Sequence, residues 1–175
     1  MGFTDAIRTC FRNYVTFSGR ASRPEYWWFV LFVILGGIVA GILDGIVFGA
    51  ASVDTGPGAI SAQSNGPLAA LFSLATLLPG LSAAWRRMHD SGRSGLFVLY
   101  PLIAFFGVMS FGAMFGGIDM MSGDIGAAFS GLFGIVFAVA VFIAVISPLL
   151  VIWWLTRPSQ PGPNTWGPNP HEVSR

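Results

Sequence analysis

Arg86-Arg87-Met88-His89-Asp90-Ser91-Gly92-Arg93-Ser94-Gly95 is the only strongly charged segment in the middle of an otherwise apolar chain. It separates two apolar runs and divides the sequence into halves. Of the 175 residues, 54% are hydrophobic and only 10% are charged, against about 25% charged in soluble domains. So few charges cannot coat a soluble globule. The composition instead fits a small protein whose outer surface faces lipid.

Working outward from this stretch, each half contains two runs close to the roughly 20 apolar residues that a bilayer core requires. The expected fold is all-α: a bundle of four transmembrane helices over 25–156, with spans at about 26–48, 67–85, 96–118 and 132–155. A cytoplasmic segment, 1–24, precedes it and a flexible cytoplasmic tail, 157–175, follows. Residues 3–15 place Phe3, Ile7, Cys10, Phe11, Tyr14 and Val15 at helical spacing, with Arg8, Arg12 and Asn13 elsewhere on the wheel. That pattern predicts an amphipathic interfacial helix. Residues 1–25 carry too many charges for a signal peptide, so the first apolar run is expected to remain as a span. Ser22 and Glu25 have capping-box spacing at its start.

Gly37, Gly41, Gly45 and Gly49 form a smooth stripe on the first span, and Gly112 and Gly116 repeat the spacing on the third. Both predict close helix packing. Asp44 lies roughly 24 Å along the helix from Trp28 at 1.5 Å per residue. It reads as an acid at the outer boundary, with an ion-pathway residue as the alternative. Residues 49–66 lack periodicity and read as a flexible loop with room for a turn or a short surface helix. Pro79-Gly80 predicts a kink or a local opening of the second span. Asp119 to Asp124 reads as a short acidic loop. The last apolar run, Ile125 to Leu155, is longer than a bilayer needs, which predicts a short extension, a tilt or a kink at Ser147-Pro148. The proline- and glycine-rich tail reads as extended or disordered.

Charge sets the expected topology. All nine basic residues are arginines. Arg8, Arg12, Arg20 and Arg23 precede the first span, Arg86, Arg87 and Arg93 lie between the second and third, and Arg157 and Arg175 follow the fourth. The positive-inside rule assigns that side, and both termini, to the cytoplasm. Tyr26, Trp27, Trp28, Trp85, Tyr100, Trp153 and Trp154 fall at the same ends, where amphipathic rings favour the headgroup level.

Two motifs carry a resemblance. Phe17-Ser18-Gly19-Arg20-Ala21-Ser22-Arg23-Pro24-Glu25-Tyr26-Trp27 resembles the opening signature of the bacterial domain-of-unknown-function 805 family, and the central stretch resembles its Arg-Arg-x-His-Asp-x-Gly-Arg-Ser-Gly loop. Gly162-Pro163-Asn164-Thr165-Trp166-Gly167-Pro168-Asn169-Pro170 is similar to the family's Gly-x-Asn-x-aromatic-Gly ending. The resemblance implies an inner-membrane protein of several helices with no established activity, and it brings no catalytic residues.

Four spans carry both charged loops to one face. Arg20, Arg23, Glu25, Arg86, Arg87, His89, Asp90, Arg93 and Ser94 are the candidate cluster there. Either the acids pair with arginines and lock the rim, or part of the cluster stays free for a phosphate, an anionic lipid headgroup or an acidic partner. Arginine's planar fork suits carboxylate and phosphate alike. The expected function is a structural or binding module whose partners are membrane lipids, a second copy of the chain or another membrane protein, not nucleic acid. The alternative is a small transporter or channel subunit. An enzyme is the weakest reading: His89 and Asp90 are neighbours on a helix end and do not face each other. No catalytic residue, cofactor or metal site is expected, since the histidines and carboxylates lack ligand spacing.

Overall fold

The computed structural model describes residues 1–49, 52–56, 59–63, 66–116 and 131–172. Helix α1, Phe3–Arg12, buries Ala6 and Cys10 and exposes Arg8 and Arg12. Helix α2, Arg23–Phe48, starts where the Ser22 hydroxyl accepts from the Glu25 N–H and Pro24 stands in the first turn. The reciprocal half of the expected capping box is replaced, because the Glu25 carboxylate turns to Arg86. Helix α3 is Leu68–Asp90. It runs through the first half of the central charged stretch, because cations are favourable in the last turn of a helix. A short 3-10 turn, Gly95–Leu99, leads into α4, Tyr100–Phe111, which ends in a π-type turn, Gly112–Gly116. Helix α5 is Gly131–Thr156. Four helical segments are long and apolar enough to cross a membrane: Arg23–Phe48, Leu68–Asp90, Gly95–Met114 and Gly134–Thr156. The acidic loop expected at 119–124, the run 125–130 and Arg175 lie outside the described residues.

α2 packs along α3 and α4 along α5, giving two hairpins; α1 lies across the first, and α3 meets α5 more briefly. The buried apolar clusters gather near the basic end. One is Cys10, Phe29 and Ala83, the other Met88, Val151 and Leu155, and Tyr26 packs against both. Farther along, the helices present wide apolar faces, as lipid solvation allows.

The contact face of α2 is one residue round the wheel from the glycine stripe. Buried Glu25, Phe29, Ala40 and Asp44 fall on a line with Phe32 and Gly36. A Cβ at Gly36 would stand 2.2 Å from the Phe72 ring, whereas Gly37, Gly41 and Gly45 have open space there. Gly49 ends α2 with φ +93°. Gly112 is buried in the π-type turn, which Gly116 closes.

The loop after α2 contains a two-stranded antiparallel ribbon, β1 (Ser52–Gly56) and β2 (Ala59–Gln63), paired from Ser52 with Gln63 to Gly56 with Ala59. Val53, Thr55 and Ile60 suit strands, and Gly56-Pro57-Gly58 is a turn signal. The ribbon replaces the flexible loop expected over 49–66, because strands this short leave too little periodicity to detect in the sequence.

Both spans with internal prolines stay helical. Pro79 has no N–H for the Ala75 carbonyl, and the Tyr14 hydroxyl donates to that carbonyl at 3.0 Å instead. Pro148 deprives the Ala144 carbonyl in the same way, and the Ser147 hydroxyl replaces the bond at 2.9 Å. The carbonyl a proline orphans is i−4, so each repair falls on the expected oxygen.

Candidate functional site

Three helix ends converge at the basic rim: the N-terminus of α2 and the C-termini of α3 and α5. Terminal carbonyls without intrahelical partners make the last two negative, and the first is positive. The side chains follow that field. Glu25 sits in the first turn of α2, Arg87 and His89 in the last turn of α3, and Arg157 just past α5.

Asp90 is the hub. Its Oδ1 accepts from Arg20 Nε at 3.0 Å, and its Oδ2 accepts from Arg87 and, at 2.6 Å, from the Ser159 hydroxyl. The Arg20 and Asp90 side chains are 1% and 0% exposed. Burying charges this deeply is costly unless every proton and lone pair finds a partner. Backbone carbonyls supply the remainder. Arg20 also donates to Gly162 O at 2.8 Å and Gln160 O at 2.6 Å. Arg87 Nε donates to Leu155 O at 3.0 Å, and its terminal nitrogen reaches Arg157 O. Arg87 thus closes the end of α5 from the end of α3.

A second ion pair joins Arg86 to Glu25 at 2.6 Å, with both side chains buried. Among the described residues, Arg86 Nε and its other terminal nitrogen are buried without a hydrogen-bond partner. Nearby, the Cys10 thiol points at the Glu25 carbonyl, 3.9 Å away. Burial, and then the Glu25 carboxylate, push this thiol up to about 12, against a lowering by Arg86.

His89 Nδ1 lies 3.0 Å from Gly19 O. A carbonyl only accepts, so Nδ1 carries the proton. The ring stacks on Trp166 with centroids 4.7 Å apart. Both Asp90 oxygens are occupied by other donors, so His89 and Asp90 form no dyad. Among the described residues no cluster of three His, Cys, Asp or Glu could hold a metal ion.

The tail is where the sequence reading differs most from the structure. Instead of trailing away, it is strapped over the rim. Gln160 N donates to Asp90 O at 2.8 Å, and Asn164 Nδ2 to His89 O at 3.0 Å. Asn164 and Gly167 close a tight turn with a bond in each direction. Glycine and proline suppress periodicity, so a segment held by its own carbonyls reads as disorder. The Gly-x-Asn-x-Trp-Gly motif was the available signal for Asn164 and Trp166. Ser159 and Gln160 had none.

The two glycine turns have like conformations. Gly19 and Gly92 adopt φ of +85° and +78°. Ser22 and Ser94 then accept from the N–H groups of Glu25 and Leu96. Three arginines remain at the rim without a carboxylate within 4 Å among the described residues: Arg23, Arg93 and Arg157. Arg93 lies over Trp154 at 5.3 Å and Arg157 over Trp153 at 5.0 Å. Arg23 Nε donates to Arg157 O at 2.8 Å, and its side chain lines a shallow cavity with Trp27 and Trp28.

Asp44 lies away from the rim, near the end of α2. Its two oxygens accept from Leu68 N at 2.9 Å and Ala69 N at 2.8 Å, capping α3 from α2. Pro67 offers no side-chain cap of its own.

The chain is similar to inner membrane protein YhaH of Escherichia coli strain K12, 36% identical over 96 residues that cover 55% of this chain and 71% of that protein. It is also similar to inner membrane protein YhaI of the same strain, 38% identical over 96 residues, 55% of this chain and 70% of that protein. No solved structure matches. The family model described as "Protein of unknown function (DUF805)" matches residues 14–168, from the tyrosine that mends α3 to the turn of the tail, so the chain belongs to the DUF805 family.

Proposed function

We propose that this protein is an inner-membrane structural or binding module whose basic rim faces the cytoplasm and engages anionic lipid headgroups. The carrying observation is the division of labour among the rim arginines. Glu25 and Asp90 are consumed by Arg86, Arg20 and Arg87, while Arg23, Arg93 and Arg157 stay beside tryptophans without a carboxylate partner among the described residues. Tryptophan favours the headgroup level, and an arginine held beside it meets phosphate there. The names of YhaH and YhaI support the inner membrane as the location. The capping role of Asp44 weighs against the transporter alternative, because that carboxylate is engaged by Leu68 and Ala69 and is not offered to a permeant ion.

The test is lipid retention by the full chain in native mass spectrometry. Phosphatidylglycerol should be retained over phosphatidylcholine, and Arg23→Gln, Arg93→Gln and Arg157→Gln together should abolish the preference. Equal retention of the two lipids by the wild type refutes the reading. For orientation, a reporter fused at Gly58 should score periplasmic and one after Arg175 cytoplasmic.

A further inference from the structure

The turn between α3 and α4 and the first residues of the tail border an open, shallow cavity of about 430 Å³, lined by Ser91–Arg93 and Arg157–Pro161. We propose that this cavity is a discrete binding site for one phosphate group, gripped between Arg93 and Arg157. The proposal rests on the reading of the rim as an anion-binding surface and narrows it to a single place.

The donors decide the ligand class. Most of the polar groups around the cavity are already committed. The Ser91 hydroxyl donates to Met88 O and the Ser159 hydroxyl to Asp90. The N–H groups of Gly92, Arg93 and Gln160 bond to His89, Met88 and Asp90 carbonyls. Pro158 and Pro161 have no N–H to offer. The donors that remain are two guanidinium forks, the Ser159 N–H and the Gln160 carboxamide nitrogen, since it is the Gln160 oxygen that accepts from Asn164. One Arg93 nitrogen bonds Ser91 O at 3.0 Å, which fixes the group and leaves its other donors. A site with donors, two positive charges and no wall acid selects an anion, and the planar forks match tetrahedral phosphate oxygens.

The site is also built. Trp154 and Trp153 hold the two guanidinium groups from below. The tail wall is fixed by Asp90, whose charge is neutralised by Arg20 and Arg87 and so does not repel an anion. Gly92 is required at its edge, because its φ of +78° is a backbone conformation that L side chains rarely adopt. Exposed Leu96 and Phe97 follow directly in sequence, on the turn into α4. They offer an apolar surface beside the site for the chains of a lipid. A phosphodiester headgroup and a free phosphate share the chemistry, and the experiment separates them.

Purified full-length protein is delipidated in detergent and titrated with phosphatidylglycerol under native mass spectrometry. Arg93→Gln with Arg157→Gln is expected to weaken binding of the first lipid about tenfold or more, the loss of charge-assisted bidentate contacts. Arg8→Gln with Arg12→Gln, on exposed positions of α1, is expected to leave it unchanged. An equal loss in both double variants, or no loss in the first, overturns the site while the general lipid preference of the wild type stands. A wild type that does not prefer phosphatidylglycerol overturns the lipid reading instead. Calorimetric titration with inorganic phosphate and glycerol phosphate then decides: binding that the Arg93/Arg157 variant loses supports a free-phosphate site, and no binding overturns it. Both substitutions spare the backbone bonds of residues 93 and 157. Should the variant nevertheless misfold, competition on the wild type replaces it. Displacement of the first lipid by inorganic phosphate supports the shared site, and failure to displace overturns it.

Discussion

Tyr14 and Ser147 each mend a helix at the oxygen a proline leaves bare. A carbonyl without a partner among apolar helices costs about 1–3 kcal/mol. Tyr14→Phe removes the donor to Ala75 O without changing the ring. It should lower stability in detergent by an amount of that order, read as a fall in the thermal midpoint, and an unchanged midpoint would show that the bond carries no weight. Cys10 gives a second prediction at this scale. With the thiol pushed up to about 12 from 9.0, the thiolate is scarce in the folded protein at alkaline pH. A raised pKa means that the neutral form is the one folding favours, so this contribution holds below pH 9 and is lost as pH climbs through 12. Alkylation of Cys10 at mildly alkaline pH should therefore be at least about a hundredfold slower in the native protein than in the unfolded chain.

At the scale of elements, Asp44 links two helices that share no local signal. It caps α3 from 24 residues away. Asp44→Ala should cost about 0.5–2 kcal/mol, as loss of an N-cap does. Gly66→Ala should cost a similar amount, because a Cβ at Gly66 would stand 2.1 Å from the Asp44 carboxylate. Since both break one contact, the double variant should be less destabilised than the sum of the singles in chemical unfolding. Strict additivity would separate the two effects. Hydropathy places Asp44 near the end of a span, but a cap depends on which helix start lies beside it, and that is a matter of packing.

At the scale of the whole molecule, the two hairpins and the tail are joined by one buried carboxylate. Asp90→Asn leaves Arg20 and Arg87 buried without a counter-charge, a loss of about 3–5 kcal/mol. Arg20→Ala should act more locally. It removes the bonds to Gln160 and Gly162 carbonyls. Amide exchange at Gln160, whose N–H bonds to Asp90 O, should then rise by about tenfold or more. Exchange unaltered by Arg20→Ala would mean that the tail is held by Asn164 and Trp166 without it.

Composition and hydropathy alone carry the number of apolar helices, the amphipathic α1 and the gathering of arginines at one end. Transfer of a side chain between water and lipid is a property of each residue summed over a contiguous window, so it can be read from the chain. The candidate cluster was legible as a group for the same reason: both loops flank spans that return to one face. Its pairing was not. Asp90 chooses Arg20 and Arg87, Arg86 chooses Glu25, and α3 meets α2 at Gly36 rather than along the glycine stripe. The tail closes over the rim on partners 69 or more positions away in sequence. These outcomes follow from distances between elements, which local periodicity does not encode, and from buried charges whose partners exist only once the helix ends have converged.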